Sequence, residues 1–208
     1  MLETLTNMID HITDGLSVHG PLLLKIVALL WGINLLNAAT GYRLNILGIL
    51  PRHPWGIIGI PFAPFLHGGF NHLFMNTILF LFLGSFMIMN SINLFFEVSI
   101  LIILISGILT WLFGRKALHI GSSSLIMGYW GYLLVHAYQD PSLLAIVLGG
   151  VCFYYFAEMA VNLIPNEPGV SWEGHCFGVI AGVVVNFIHT PFLVWFAHSG
   201  ILHHKYLA

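Results

Sequence analysis

Charged residues are what this sequence has least of. Only six Lys and Arg and eight Asp and Glu occur in 208 residues, against 58% hydrophobic side chains, too few to cover the surface of a soluble globule of that length. The mean hydropathy of +0.92 agrees, and the chain reads as an integral membrane protein. Six positive charges within a net charge of −2 provide no basic face for a phosphate backbone, which argues against a nucleic-acid partner. The two cysteines, Cys152 and Cys176, both lie inside apolar runs, so they read as small buried side chains rather than a disulfide framework. The first twenty residues hold Glu3, Asp10 and Asp14 but no Lys or Arg. That is the wrong flank for a cleaved secretory signal, and the first apolar run is expected to stay in the mature protein. No internal repeat is visible.

What the sequence does have is apolar runs of membrane-crossing length. Residues 1–20 mix apolar and polar positions and read as a short interfacial helix. Residues 22–38 form a first span, with Lys25 able to snorkel from its end. Pro51, Pro54, Pro61 and Pro64 rule out one long helix over 39–66, yet that stretch remains rich in Ile, Leu and Phe, as suits a loop lying in the interface. Five further runs, at 72–90, 94–113, 120–138, 142–163 and 175–196, are each close to the ~20 residues needed to cross hydrocarbon. The expected fold is therefore an all-α polytopic membrane protein, a six-transmembrane-helix bundle with a membrane-interfacial first loop. It divides into an N-terminal segment (1–20), one six-helix domain (21–196) and a tail (197–208).

Crossing arithmetic locates a candidate site. The second, fourth and sixth spans must begin on one side, and polar residues gather at those beginnings: His72 and Asn76, then Ser122, Ser123 and Ser124, then His175. Residues 72 and 76 are i and i+4 and share a direction. His175, Gly178 and Gly182 form one stripe whose glycines let another helix approach closely, and Gly121, Gly128 and Gly131 thin the fourth helix in the same way. Ser123 and His175 are expected to meet inside the membrane. Singly, a membrane serine more often bonds its own helix backbone and a glycine pair more often marks plain packing. An ionisable residue inside a span is different, because its burial is costly.

These motifs resemble those of the rhomboid intramembrane serine proteases. Gly121-Ser122-Ser123-Ser124 is similar to that family's Gly-x-Ser-x on the fourth core helix. His175, Gly178 and Gly182 match its His-x-x-Gly-x-x-x-Gly on the sixth, and His72-Leu73-Phe74-Met75-Asn76 its His-x-x-x-Asn on the second, after His67-Gly68-Gly69-Phe70. The resemblance covers roughly residues 20–196. There are departures: Ser124 where the family commonly has Gly, Met127 where many members place a Tyr against the histidine, Trp55-Gly56 instead of a Trp-Arg pair, and Ile88 in place of a Glu.

The resemblance implies an endopeptidase that cuts transmembrane helices near the membrane surface with a Ser123–His175 dyad, since no Asp or Glu stands beside the pair as a third member. It further implies oxyanion stabilisation by His72, Asn76 and the Ser123 backbone N–H, and no cofactor or metal. Glu173, two positions before His175, is expected to face water at the rim. Residues 165–172 are expected to cap the site, and Phe153, Tyr154, Tyr155 and Phe156 to mark the side by which a substrate helix arrives. The implied partners are single-span membrane proteins and the lipid bilayer; the oligomeric state is left open. The implied location is a bacterial inner membrane with the site toward the non-cytoplasmic face, although Arg43, Arg52, Arg115 and Lys116 cluster on that face and the positive-inside count points the other way. Two rival readings are a catalytically inactive rhomboid-like protein that binds membrane helices, and a transporter or proton path lined by intramembrane His and Asn.

Overall fold

In the computed structural model the described residues are 2–89, 91–139, 150 and 171–198, and among them the regular structure is helical throughout, with no strand. Six α-helices are described: α1 (Leu2–Ala39), the short α2 (Pro54–Ile58), α3 (Phe70–Ile88), α4 (Ile92–Phe113), α5 (Ser123–Gln139) and α6 (Trp172–His198). Three segments, Ile12–Ala39, Phe70–Ile88 and Ile92–Phe113, are long and apolar enough to cross a membrane. The expected fifth span (142–163), with its aromatic cluster and Cys152, lies outside the described residues, as do 165–170 of the expected cap and residues 199–208 of the tail.

The expected N-terminal interfacial segment and the expected first span belong to one helix. α1 runs unbroken for 38 residues through Pro21, which removes only the bond its N–H would have made to the Ser17 carbonyl. Its short polar residues are accommodated within the helix. The Thr13 hydroxyl donates to the carbonyls of Ile9 and Asp10, and Ser17 to that of Asp14, the back-bonding open to short hydroxyl side chains.

Prolines shape the next stretch as expected. Between α1 and α3 the chain makes only α2 and two 3₁₀ turns, Arg43–Leu47 and Ala63–Phe65. Pro54 opens α2 at the position where a missing N–H costs nothing. This loop is laced onto the neighbouring elements. Arg52 Nη1 donates to the carbonyls of Leu112 (3.1 Å) and Gly114 (2.8 Å), and Trp111 Nε1 donates to that of His53 (2.9 Å). Ile49 and His119 exchange a pair of backbone bonds at 2.9 Å, and Gly121 N–H reaches the Ala63 carbonyl, also at 2.9 Å. Arg52 and Trp111 thus anchor the loop to the end of α4.

The core lies between α3, α4, α5 and α6, with Leu23 of α1 joining it. At its centre Phe80, Phe95 and Tyr129 stack edge-on or tilted, with ring centroids 6.0–6.4 Å apart, within the range where aromatic pairs add to burial. Tyr129 is fully buried and its hydroxyl is satisfied by Ser99 Oγ at 2.6 Å. The outward faces carry exposed Leu24, Leu35, Phe74, Met75, Ile100 and Ile108, a surface suited to lipid rather than water. α5 packs most extensively against α6, and α6 in turn against α4. These are the contacts that position the site.

Candidate active site

The site is built around the start of α5. Ser122 accepts the first intrahelical bond, from Ile126 N–H at 3.0 Å, so Ser123 is the first helical residue and its own N–H belongs to the helix-start donors with no intrahelical partner. The turn before it depends on Gly121, whose φ of +111° is strained for any residue with a side chain. A Cβ there would also stand 2.8 Å from His72 Nε2 and 3.6 Å from Asn76 Nδ2. His72 and Asn76, one helical turn apart on α3, therefore both face the turn that presents Ser123. Asn76 is buried, and its Nδ2 has no hydrogen-bond partner among the described residues. Leaving a buried amide donor unused costs about 1–3 kcal/mol, which is understandable at a site that must receive an acceptor.

α6 is brought to the same place by glycine. A Cβ on Gly178 would lie 3.0 Å from the Ser124 carbonyl carbon and 3.1 Å from Met127 Cβ, and one on Gly182 would lie 2.8 Å from Tyr132 N and closer still to the Gly128 carbonyl oxygen. Backbone meets backbone along this seam, as the small-residue pattern expects. His175, 9% exposed, begins the same stripe one turn earlier, and half-buried Ser123 shares a cavity with Gly174, the residue before it. Thr110, His119, Ser124 and Ser171 also line that cavity. Met127 is fully buried against Gly178, filling space where a tyrosine was absent from the motif.

A second histidine supports the motif from behind. His67 is fully buried, with its Nε2 3.4 Å from Ser122 Oγ and its ring 5.1 Å from that of His72. Burial, with His72 adding to it and the Phe65 backbone opposing, pushes its pKa down to about 4. A histidine whose folded pKa lies below its unfolded value binds fewer protons when folded, so its contribution is intact at neutral pH and is lost as pH falls. Thermal melts in detergent are expected to show stability dropping between pH 6.5 and pH 4, by on the order of 3 kcal/mol from this group. His67→Gln should flatten that slope; an unchanged slope would count against this reading.

Sequence reasoning missed the polar contacts at the start of α6. Glu173 was expected to face water, but it is 4% exposed and accepts from Arg115 N at 3.3 Å, with Arg115 Nε at 3.6 Å. A carboxylate beside a guanidinium tolerates burial that an isolated one would not. His119, also buried, bonds Ser171 Oγ through Nδ1 at 2.5 Å and the Arg115 carbonyl through Nε2 at 3.1 Å. Burial lowers its pKa, as does Arg115, while the Arg115 carbonyl and Glu173 oppose. The one available signal was the position of His119, directly before Ile120-Gly121-Ser122-Ser123. Among the described residues no group of three or more His, Cys, Asp or Glu is placed to hold a metal ion.

Comparison with known proteins finds one family model and several relatives. A family model described as a rhomboid domain matches residues 52–192. Uncharacterized proteins of Mycobacterium bovis and Mycobacterium tuberculosis are each 35% identical over 180 residues, covering 82% of this chain and 75% of theirs. An uncharacterized protein of Mycobacterium leprae is 32% identical over 180 residues, covering 82% of this chain and 71% of its own length.

Proposed function

The chain belongs to the rhomboid family and is an integral membrane protein, and from that premise we propose that it is an intramembrane serine endopeptidase. Ser123 is the nucleophile and His175 the base. The observation that carries this is the convergence of three helices on one turn: Ser123 opens α5 beside the start of α6, and the buried Asn76 Nδ2, without a hydrogen-bond partner among the described residues, faces Gly121 on the same turn.

The chemistry follows from what peptide hydrolysis requires. His175 takes the Ser123 hydroxyl proton as Oγ attacks the scissile carbonyl carbon. Negative charge then develops on the carbonyl oxygen. The Ser123 N–H at the positive end of α5, the Asn76 amide and His72 are the donors that receive it. His175 returns its proton to the leaving amine as the C–N bond breaks, and water repeats the sequence on the acyl-Ser123 ester. Asn76→Ala is expected to lower kcat by about 10²- to 10³-fold with KM little changed, because the lost bond strengthens only in the transition state. An unaltered kcat would remove Asn76 from this role.

The substrates are single-span membrane proteins whose helix unwinds near its end, since a carbonyl held in an intact helix is not open to attack. Exposed Ile46, Trp55, Ile57, Ile58 and Phe62 on the first loop favour seating that loop in the interface beside the site. The location is a bacterial inner membrane with the site toward the non-cytoplasmic face. Two of the arginines on that face have structural partners: Arg52 caps the end of α4 and Arg115 pairs with Glu173. The test is direct. Detergent-purified protein incubated with a single-span reporter should yield two fragments whose masses place the cut near one end of the reporter's apolar segment. Intact reporter after prolonged incubation with folded protein would contradict the proposal and favour a helix-binding or ion-conducting role.

A further inference from the structure

The helix that carries His175 is held at its first turn by a residue outside the dyad. Ser171 Oγ accepts from Gly174 N–H at 3.3 Å, and the Ser171 carbonyl accepts from His175 N–H, also at 3.3 Å. Both ends of one residue thus fix the turn from which His175 projects, as a serine N-cap does. Gly174 is part of the fit: a Cβ there would stand 2.9 Å from Ser171 Oγ, crowding the hydroxyl out of its position.

Ser171 is itself held by His119. The Arg115 carbonyl can only accept, so His119 Nε2 carries the proton and Nδ1 is the acceptor for the Ser171 hydroxyl hydrogen, a tautomer assigned from the bonding network. The backbone of His119 is pinned to Ile49 on both its N–H and carbonyl sides. It lies two residues before Gly121 and four before Ser123. One imidazole therefore ties the segment leading into the Ser123 turn to the first turn of the helix bearing His175. The two attachments come from residues 52 apart in the chain.

We propose that His119 and Ser171 are positioning residues that set the register of His175 against Ser123. This rests on the protease reading above. Neither residue exchanges a proton with substrate; they act by fixing where the first turn of α6 begins. Misplacing a catalytic group by about 1 Å costs on the order of 100-fold in rate, whereas the affinity for a substrate helix depends on surfaces elsewhere. The signature is thus a loss in kcat with KM preserved.

The experiment uses full-length protein in detergent, with reporter cleavage and the rate of fluorophosphonate labelling of Ser123 as parallel readouts. Ser171→Ala and His119→Leu should each lower kcat by about 30- to 100-fold with KM within about 2-fold, and slow labelling in proportion. Ser171→Thr keeps the hydroxyl and the cap and should stay within about 3-fold of wild type. His119→Asn keeps an acceptor near the Nδ1 position and should recover part of the loss. Because both side chains serve one link, the double variant should be no slower than the worse single one. Normal kcat in a folded Ser171→Ala protein, a multiplicative double variant, or equal losses in Ser171→Thr and Ser171→Ala would overturn the proposal. Should Ser171→Ala fail to fold, Ser171→Thr and His119→Asn decide by the same criteria. A wild type that neither cleaves nor labels fails the protease reading itself, and the positioning role with it; a cleaving wild type with an unaffected Ser171→Ala fails the positioning role alone.

Discussion

Ser123→Ala and His175→Ala are each expected to abolish reporter cleavage, with kcat falling by roughly 10⁴- to 10⁶-fold, while folding and substrate binding persist. The size of the loss follows from the two groups acting as a unit. Without the imidazole the hydroxyl remains protonated and barely nucleophilic; without the hydroxyl the imidazole has nothing to activate. Combining the two substitutions should therefore cost little more than either alone. Neither change should disturb the fold. Ser123 is half-buried at a helix start, where a hydroxyl is not needed for the helix to continue, and the seam that holds α6 in place is built from Gly178 and Gly182 rather than from His175. Kinetics on the purified variants, with melting temperatures measured in the same detergent, checks both parts. A variant that keeps its melting temperature and still cleaves at more than a hundredth of the wild-type rate would mean the dyad is misassigned.

Gly182→Ala is expected to damage both stability and activity. The added Cβ would stand 2.8 Å from both the Gly128 carbonyl carbon and Tyr132 N. These are backbone atoms within helix α5, and they cannot rotate aside as a side chain would. Relief requires separation of α5 from α6, the most extensive pair among the described helices. Overpacking a well-filled core typically costs 1–3 kcal/mol, and with no flexible neighbour to give way the upper end, about 3 kcal/mol, is the expectation. For a chain of this length that is a fall in melting temperature of roughly 6–12 °C. Activity should fall further than stability, because moving α6 moves His175 away from Ser123. Gly32→Ala is the matched control. That glycine lies within α1 with nothing within 4 Å of where its Cβ would be, so alanine there should be neutral or mildly stabilising through helix propensity. Equal melting temperatures for the two variants would refute the close-packed seam.

Features with a period were legible in the sequence. The i, i+4 pairing of His72 and Asn76, the Gly178–Gly182 stripe and the proline-broken first loop all declare themselves locally, and the structure brings Gly121, His72 and Asn76 together and sets Gly178 on Ser124. What escaped has no local signature. Arg115 meets Glu173 across 58 residues and His119 meets Ser171 across 52, so neither contact produces a motif, and Glu173 read as a rim residue because its partner was invisible. Arg52 anchors the first loop through the carbonyls that end α4, a link visible only once α4 and the loop are placed side by side. At the N-terminus the hydroxyls of Thr13 and Ser17 are absorbed by the helix's own carbonyls, so short polar side chains leave its continuity intact.

The central claim, that a hydroxyl on α5 is activated by an imidazole on α6, is tested most directly by mapping covalent labelling. Detergent-solubilised wild type treated with a fluorophosphonate should carry a single adduct, assigned by peptide mass spectrometry to Ser123, and His175→Ala should carry none under the same exposure. An adduct at Ser122, Ser124 or elsewhere, or equal labelling of Ser123 when His175 is gone, would contradict the account.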